Sequence, residues 1–321
     1  MTSTQPKNLS AVSTLDELYD VFDELSMEGG WHRKFPALWP EPRKTLEPAA
    51  WNYATIKSVL DAAGRLVDHS MADRRNVTLR NPAEGNTYAT VRSMVAAYQL
   101  IRPGETADAH RHTPSALRII LEGRGTYTVV DGTRVEMRPG DVLLTPSRAW
   151  HSHSAEGPDD CYWVDILDVP LIHLLEPMFF ERHPDGLEKD VTDVADSPLA
   201  FRREDSVRRL DAQTAAPAHG MAEREIQLGD PALATIALHV QRMSAGFTSA
   251  TSRTTANSIF TVLSGSGETV VDGTVLPWTT GDIVAVPAWR PYQHRVSADA
   301  HLVRASDEPV LRAFGLLRTA D

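Results

Sequence analysis

The sequence predicts an all-β core of two β-barrels preceded by an N-terminal helical arm. Three observations lead there. Residues 102–153 break into short apolar or alternating runs punctuated by Gly and Pro-Gly turns, the pattern of antiparallel strands. The C-terminal part repeats the same order of runs and turns, and internal repetition of that kind marks a second copy of one fold unit. Helical periodicity is concentrated in the N-terminal segment. The expected division is residues 1–85 as the arm, 86–200 as a first barrel carrying a metal site, and 201–321 as a second barrel without metal.

In the arm, the first dozen residues are expected to be loose. Thr14 with Glu17 forms a capping box for a helix bearing Leu15, Leu18, Phe22 and Leu25 on one side, with Gly29-Gly30 as its stop. Trp31, Phe35, Leu38 and Trp39 then follow among prolines, with packing as their expected role. A second helix is expected from about Pro48 to Ala63, ending near Gly64, because Tyr53, Ile56, Val59, Leu60 and Ala63 recur at helical spacing. The basic pair Arg74-Arg75 lies just before the first barrel.

The chemistry is concentrated between Arg102 and His153. His110 and His112 stand two apart in an extended run, so their side chains face one way. A hairpin folds at Asp131-Gly132, a further turn forms at Pro139-Gly140, and the strand DVLLTP returns to deliver His151 and His153. Two imidazoles from one strand and a third from a returning strand make a metal site on a rigid support. Neutral imidazoles suit divalent transition metals, and three of them leave half of a six-coordinate shell for other ligands. Arg118 follows His112 by an even number of residues, so the two share a strand face if the segment runs on without a bulge.

Beyond this motif, LDVPLIHLLEPMFF predicts a short helix and a packed extension, with His173 as a core or interface histidine. Residues 183–220, rich in Pro, Asp, Arg and Ala, read as a connector wrapping the barrels. In the repeat, Ser252 and Thr254 stand opposite His110 and His112, Tyr292 opposite His151, and His294 opposite His153. The second copy thus keeps the grammar of the first and loses three potential ligands.

Composition sets outer bounds. A chain of 321 residues has room for two compact units, and 42% hydrophobic residues suits a globular protein. A formal net charge of −11 argues against a general nucleic-acid surface. Cys161 is the only cysteine, so no intrachain disulfide forms, and a packed thiol is expected. The start MTSTQPKNLS is polar and no apolar run approaches the roughly 20 residues needed to span a bilayer, which gives the expectation of a cytoplasmic protein with no membrane partner.

The runs AHRHTPSALRIILEG, AWHSH and WVDILDVPLIHLLEPMFFE resemble the gentisate and salicylate 1,2-dioxygenase family of bicupin ring-cleaving enzymes. The glutamate usual between the two cupin motifs is absent, which favours a three-histidine site. The resemblance implies two cupin (jelly-roll) β-barrels and Fe(II) held by His110, His112 and His151. It implies further that Arg118 meets the substrate carboxylate, that His153 hydrogen-bonds substrate or intermediate, and that Gln99, Asp165 and Arg74 complete the pocket. The implied reaction inserts both atoms of O2 between the carboxyl-bearing and hydroxyl-bearing ring carbons of an ortho-hydroxybenzoate. Gentisate, giving maleylpyruvate, and substituted salicylates such as 5-nitrosalicylate are the implied substrates. A homo-oligomer, often a tetramer in this family, is also implied. Many gentisate enzymes read WHDHGN where this chain has WHSHSA from Trp150 to Ala155, which leaves the ring substituent open. Two other readings share the scaffold: another cupin metalloenzyme (an isomerase or thiol dioxygenase), or a non-enzymatic effector-binding cupin. Fe(II)-dependent oxygen consumption with an ortho-hydroxybenzoate separates them.

Overall fold

The structure, a computed structural model, describes residues 10–32, 37–68, 71–72, 74–194 and 196–320. Residues 1–9, most of the segment expected to be loose, and Phe35 lie outside the described residues. Two units are distinguished, one ending at Arg43 and one running from Lys44 onward. The first contains helix α1 (Leu15–Glu24). Thr14 Oγ1 accepts from the Glu17 amide, and the Glu17 carboxylate accepts from the Thr14 amide at 3.2 Å, the reciprocal cap read from the sequence. The helix ends at the cap Leu25, before Gly29-Gly30 is reached. Trp31, Leu38 and Trp39 are exposed.

The second unit begins with strand β1 (Ala49–Trp51) and helix α2 (Tyr53–Leu66), so the expected helix start at Pro48 is replaced by a strand. Asn52 is the reason: its side chain accepts from the Thr55 amide and sets the N-cap there. Gly64, expected as the stop, lies inside the helix and is buried, and an added Cβ there would meet Leu100 Cδ2 at 3.1 Å.

The first barrel is two facing sheets. One orders β13 (Ala200–Phe201), β8 (Val142–Thr145), β5 (Ala116–Glu122), β10 (Cys161–Leu167), β3 (Val95–Ile101) and β2 (Arg75–Thr78). The other orders β11 (Phe180–Arg182), β4 (Thr106–His112), β9 (His151–Ala155), β6 (Thr126–Val130), β7 (Thr133–Met137) and β12 (Thr192–Asp193). The hairpin between β6 and β7 turns at Asp131 and Gly132, both at positive φ (44° and 73°), as a two-residue turn matched to strand twist requires. Helix α3 (Val169–Leu175) follows β10 as expected. His173 on it is exposed and lies 2.6 Å from the Tyr88 hydroxyl, which removes the core half of its expected role and leaves the interface half untouched. The connector contributes β12 and β13 to the first barrel's sheets and forms an unanticipated helix, α4 (Arg203–Asp211).

The second barrel is one continuous sheet because β17 (Ser258–Val271) and β20 (Tyr292–Ser306) are long enough to serve both of its walls. They are joined by β14 (Arg224–Leu228), β15 (Ala237–Met243), β18 (Thr274–Thr279), β19 (Ile283–Val286) and, from the N-terminal side, β1. A small ribbon pairs β16 (Arg253–Thr254) with β21 (Thr319–Ala320). Helix α5 (Glu308–Ala313) follows β20. No helix among the described residues is long and apolar enough to cross a membrane.

Strand alternation places the cores. Tyr98, Leu100, Leu117, Ile119, Val164 and Ile166 point out of the first barrel and join residues such as Leu238, Val240, Ile259 and Val303 of the second in one shared apolar core. The opposite faces of these strands line the first barrel's interior. Within the second barrel, His294 is fully buried, its Nδ1 2.9 Å from Thr269 Oγ1, which also accepts from Trp278 Nε1.

Burial pushes His294 down to about 4. An unfolded histidine takes up its proton near 6.5, so between 6.5 and about 4 the unfolded chain binds a proton that the folded chain refuses. The contribution is intact above pH 6.5 and stability falls as pH drops toward 4, by up to about 1.4 kcal/mol per pH unit for each such group. Urea denaturation of His294→Gln across this range is expected to show a shallower pH slope than the unsubstituted protein; equal slopes would discard His294 as a contributor.

Candidate metal centre

The centre is assembled where β4 meets β9. In the ladder His110 faces His151 and Ala107 faces His153, so β4 spends one more residue than β9 over this span and bulges. Three histidines converge there: the ligand atoms offered by His110, His112 and His151 all lie within 4.8 Å of one another. His110 and His151 are buried, and His112 is half-buried.

Each of the three rings is held at Nδ1 by a backbone carbonyl: His110 by Asp108 at 3.0 Å, His112 by Pro114 at 2.7 Å and His151 by Ala149 at 3.1 Å. A carbonyl only accepts, so Nδ1 carries the proton and Nε2 keeps its lone pair. Nε2 of His151 is buried without a protein partner. Burial holds His110 down at about 4 and lowers His112; it puts His151 and His153 well below the usual range, with Arg118 adding to the effect on both. The rings are therefore neutral and can donate lone pairs at neutral pH. His153 sits one step deeper, fully buried, with neither ring nitrogen hydrogen-bonded, and its ring centroid is 6.1 Å from that of His151.

The opposite sheet supplies the charges. Arg118 on β5 and Asp165 on β10 are direct cross-strand partners, so their side chains emerge on one face. Arg118 Nε lies 3.3 Å from Asp165 Oδ1, and its Nη1 donates to Thr145 Oγ1 at 2.6 Å. Asp165 also accepts from Trp163 Nε1 at 3.0 Å and from Gln99 Nε2, while Arg74 Nε donates to Gln99 Oε1 at 2.5 Å. Arg74, Gln99, Asp165 and Arg118 thus form one connected string. Burial works against both charges, raising the Asp165 carboxyl and lowering the guanidinium, and each charge offsets the other. Arg75, the neighbour of Arg74, is engaged elsewhere: Nη1 meets Glu105 at 2.5 Å, and Nε and Nη2 donate to the Val67 carbonyl.

His112 and Arg118 do not share a strand, because β4 ends at His112 and β5 starts at Ala116 in the other sheet. The proline-containing turn between them sends Arg118 across the barrel, so it faces the histidines from the far wall. Thr145 and Trp163 were not anticipated. Trp163 was within reach of parity alone, being two residues before Asp165 on one strand; Thr145, inside an apolar run, shows its role only once β8 is paired with β5.

Residues 97–167 and 239–304 each match the family described as Cupin domain, which accounts for the internal repeat. The chain is 32% identical to the 5-aminosalicylate 1,2-dioxygenase of a Comamonas species, over 95% of this chain and 89% of that one. It is 30% identical to gentisate 1,2 dioxygenase 1 of Aquipseudomonas alcaligenes, over 94% and 95%. Its fold matches the crystal structure of a salicylate 1,2-dioxygenase from Pseudaminobacter salicylatoxidans with a TM-score of 0.86 at 29% identity, covering 98% of this chain and 99% of that one. The chain belongs to the gentisate/salicylate 1,2-dioxygenase family. As a member of that bicupin family it is a ring-cleaving dioxygenase that uses Fe(II). The three-histidine cluster fits the metal: three neutral imidazoles with oriented, unprotonated Nε2 atoms are a donor set suited to ferrous iron. No second such cluster occurs among the described residues.

Metal analysis of the purified dioxygenase is expected to return one bound iron per chain, with its loss in His110→Ala and in His151→Ala. Full iron content in either variant, or two equivalent anomalous metal peaks per chain, would reject the assignment.

Proposed function

We propose that the enzyme opens the ring of an ortho-hydroxybenzoate between the carboxyl-bearing and adjacent hydroxyl-bearing carbons, with gentisate, giving maleylpyruvate, or a substituted salicylate such as 5-nitrosalicylate as substrate. The observation that carries this reading is Arg118, a buried guanidinium on the wall facing three neutral histidines. Arg74 and Arg118 bring guanidinium groups to a barrel whose histidines are neutral, and a benzoate brings a carboxylate for them to meet. The relatives, 5-aminosalicylate, gentisate and salicylate dioxygenases, point the same way.

On this reading residues 86–200 are the metal-bearing domain and residues 201–321 the metal-free one, behind the arm of residues 1–85. His110, His112 and His151 hold the iron through Nε2. Ferrous iron bound there supplies open coordination positions for substrate oxygens and for O2, and passes electron density between them. Arg118 grips the carboxylate; with Nε turned to Asp165 and Nη1 to Thr145, Nη2 has no protein hydrogen bond among the described residues. Asp165 fixes that guanidinium, and Gln99 and Arg74 fix Asp165 in turn, so the substrate is oriented without reorganisation. His153, neutral, offers one N–H and one lone pair, and so can donate a hydrogen bond to a substrate oxygen or hold a proton during ring opening. Oxygen uptake with gentisate, salicylate, 5-aminosalicylate, 5-nitrosalicylate and 1-hydroxy-2-naphthoate, followed by product spectra, identifies the ring substituent. Silence across the panel in iron-loaded enzyme would sink the proposal.

A homo-oligomer, with the tetramer as the form to test, is proposed for the cytoplasmic enzyme. The exposed apolar residues Leu174, Leu175, Phe179 and Phe180, close together in the sequence, support it, since large exposed apolar side chains of this kind favour a contact site. Light scattering that returned only monomer at micromolar concentration would remove that part.

A planar guanidinium holds a carboxylate through directed bonds that lysine does not reproduce. Arg118→Lys is therefore expected to keep its iron and bind substrate less well, and Arg118→Ala to lose on the order of 2–5 kcal/mol of substrate binding. Iron content, substrate affinity and turnover measured in parallel decide the matter. Unchanged affinity in Arg118→Ala would exclude the clamp, and loss of iron would reassign Arg118 to support of the metal shell.

A further inference from the structure

The second barrel has a chamber at the place corresponding to the metal chamber of the first. Ser252 faces Tyr292 across the ladder as His110 faces His151. Both line a cavity of about 260 Å³, just under the common range of about 300–1,000 Å³ for ligand pockets. The two family matches start at Ala97 and His239, so Gln241 stands where Gln99 stands, each two residues further along its strand. Parity agrees: Leu238 and Val240 point to the shared core, while His239 and Gln241 line the cavity.

The charge has been rearranged. In the first barrel the cation rises from β5 and the anion from β10; in the second, the position on β17 opposite Arg304 is Phe260, and the buried cation is Arg304 on β20. Arg304 Nη1 donates to Glu308 Oε1 at 2.6 Å and Nη2 to His239 Nδ1 at 3.1 Å. Because arginine only donates, His239 accepts at Nδ1 and carries its proton on Nε2. Glu225, the other carboxylate lining the cavity, is already engaged by His219 at 3.0 Å and by Gln241 Nε2 at 2.7 Å. Glu308 also faces Arg312, at 4.0 Å, so two guanidinium groups balance two carboxylates around the cavity.

Two polar atoms remain buried with no partner although their side chains line the cavity: Gln241 Oε1, on a residue 1% exposed, and Arg304 Nε, on a residue 9% exposed. Buried polar groups are nearly always satisfied, and each exception calls for a cause. Beside the buried Arg304 Nε–H, His239 Nε2–H and the Tyr292 hydroxyl are further donors, the hydroxyls of Ser252 and Thr254 also line the cavity, and Gln241 Oε1 is the buried acceptor without a partner. The Arg304 Nε–H calls for an acceptor, which a carboxylate offers, and Gln241 Oε1 calls for a donor, which a hydroxyl offers.

We propose that the second barrel binds, without metal, a compact hydroxylated monocarboxylate, its carboxylate on Arg304, His239 and Tyr292 and its hydroxyl on Gln241. The site is separate from the ring-cleaving centre, and its occupation does not depend on which aromatic acid that centre takes.

Isothermal titration of the iron-loaded enzyme with lactate, and with lactamide as its uncharged counterpart, tests this. The expected result is a lactate site that persists in Arg118→Ala and weakens about tenfold or more in Tyr292→Phe and in Gln241→Leu, as befits loss of one hydrogen bond to a charged or buried group. Lactamide is expected not to fill it. Melting temperatures close to that of the unsubstituted protein show that the variants fold, and Tyr292→Phe, which removes one oxygen, serves if Gln241→Leu does not. Lactate binding that vanishes with His110→Ala and is unchanged in both second-barrel variants would overturn the proposal, as would equal binding of lactamide.

Discussion

The register that places Arg118 opposite Asp165 is the constraint on which the rest of the active chamber depends. Neither charge tolerates burial alone: an unpaired ion in the interior costs several kcal/mol, and removal of one partner from such a pair costs about 3–5 kcal/mol. Adjacent antiparallel strands in this register put the two groups side by side at no cost in chain flexibility, since the ladder has already fixed both backbones. Asp165 is then saturated from three directions by Arg118, Trp163 and Gln99, which leaves the guanidinium pinned rather than mobile. A one-residue slip of β10 would turn Asp165 outward into the apolar core and bring Val164 or Ile166 into the chamber.

That slip is resisted by the other face of the same strands. Tyr98, Leu117, Ile119, Val164 and Ile166 are all in the core shared by the two barrels, so every strand that carries a polar group inward carries an apolar one outward. The second barrel therefore supports the first barrel's chemistry mechanically: it supplies the apolar surface that fixes the register of β3, β5 and β10. A barrel without the three histidines serves this purpose as well as one with them, which is why Ser252, Thr254 and Tyr292 in the places of His110, His112 and His151 leave the architecture intact. Fold and site are separable here, as the general independence of function from fold leads one to expect.

What the sequence made legible follows from the range of the interactions involved. The capping box at Thr14, the Asp131-Gly132 hairpin and the HxH pair are local, and local sequence specifies them. The two-barrel architecture was legible because the grammar repeats. Misreadings arose where a distant contact overrode a local signal. Gly64 reads as a helix stop, yet it is the small residue needed where α2 packs on Leu100. Pro48 reads as a helix start, yet Ala49–Trp51 is taken up as an edge strand against β19. His173 sits in an apolar run, yet α3 presents it to solvent beside Tyr88. The placement of Arg118 was reached for an incomplete reason, since parity along one strand cannot reveal that the chain crosses between sheets at Pro114.

The geometry also accounts for an iron site built without a carboxylate ligand. Three imidazoles whose Nδ1 protons are committed to backbone carbonyls add no charge to the chamber, so the metal keeps its full positive charge there. With Asp165 already committed to Arg118, the wall opposite the histidines presents the guanidinium groups of Arg118 and Arg74. A carboxylate among the ligands would offset that field and compete with an anionic substrate for the same positions. Its absence leaves the substrate's own carboxylate as the anion drawn into this field, so binding strength and orientation are set by the same interaction. Recognition of an acid is on this view written into the ligand set as much as into the arginine.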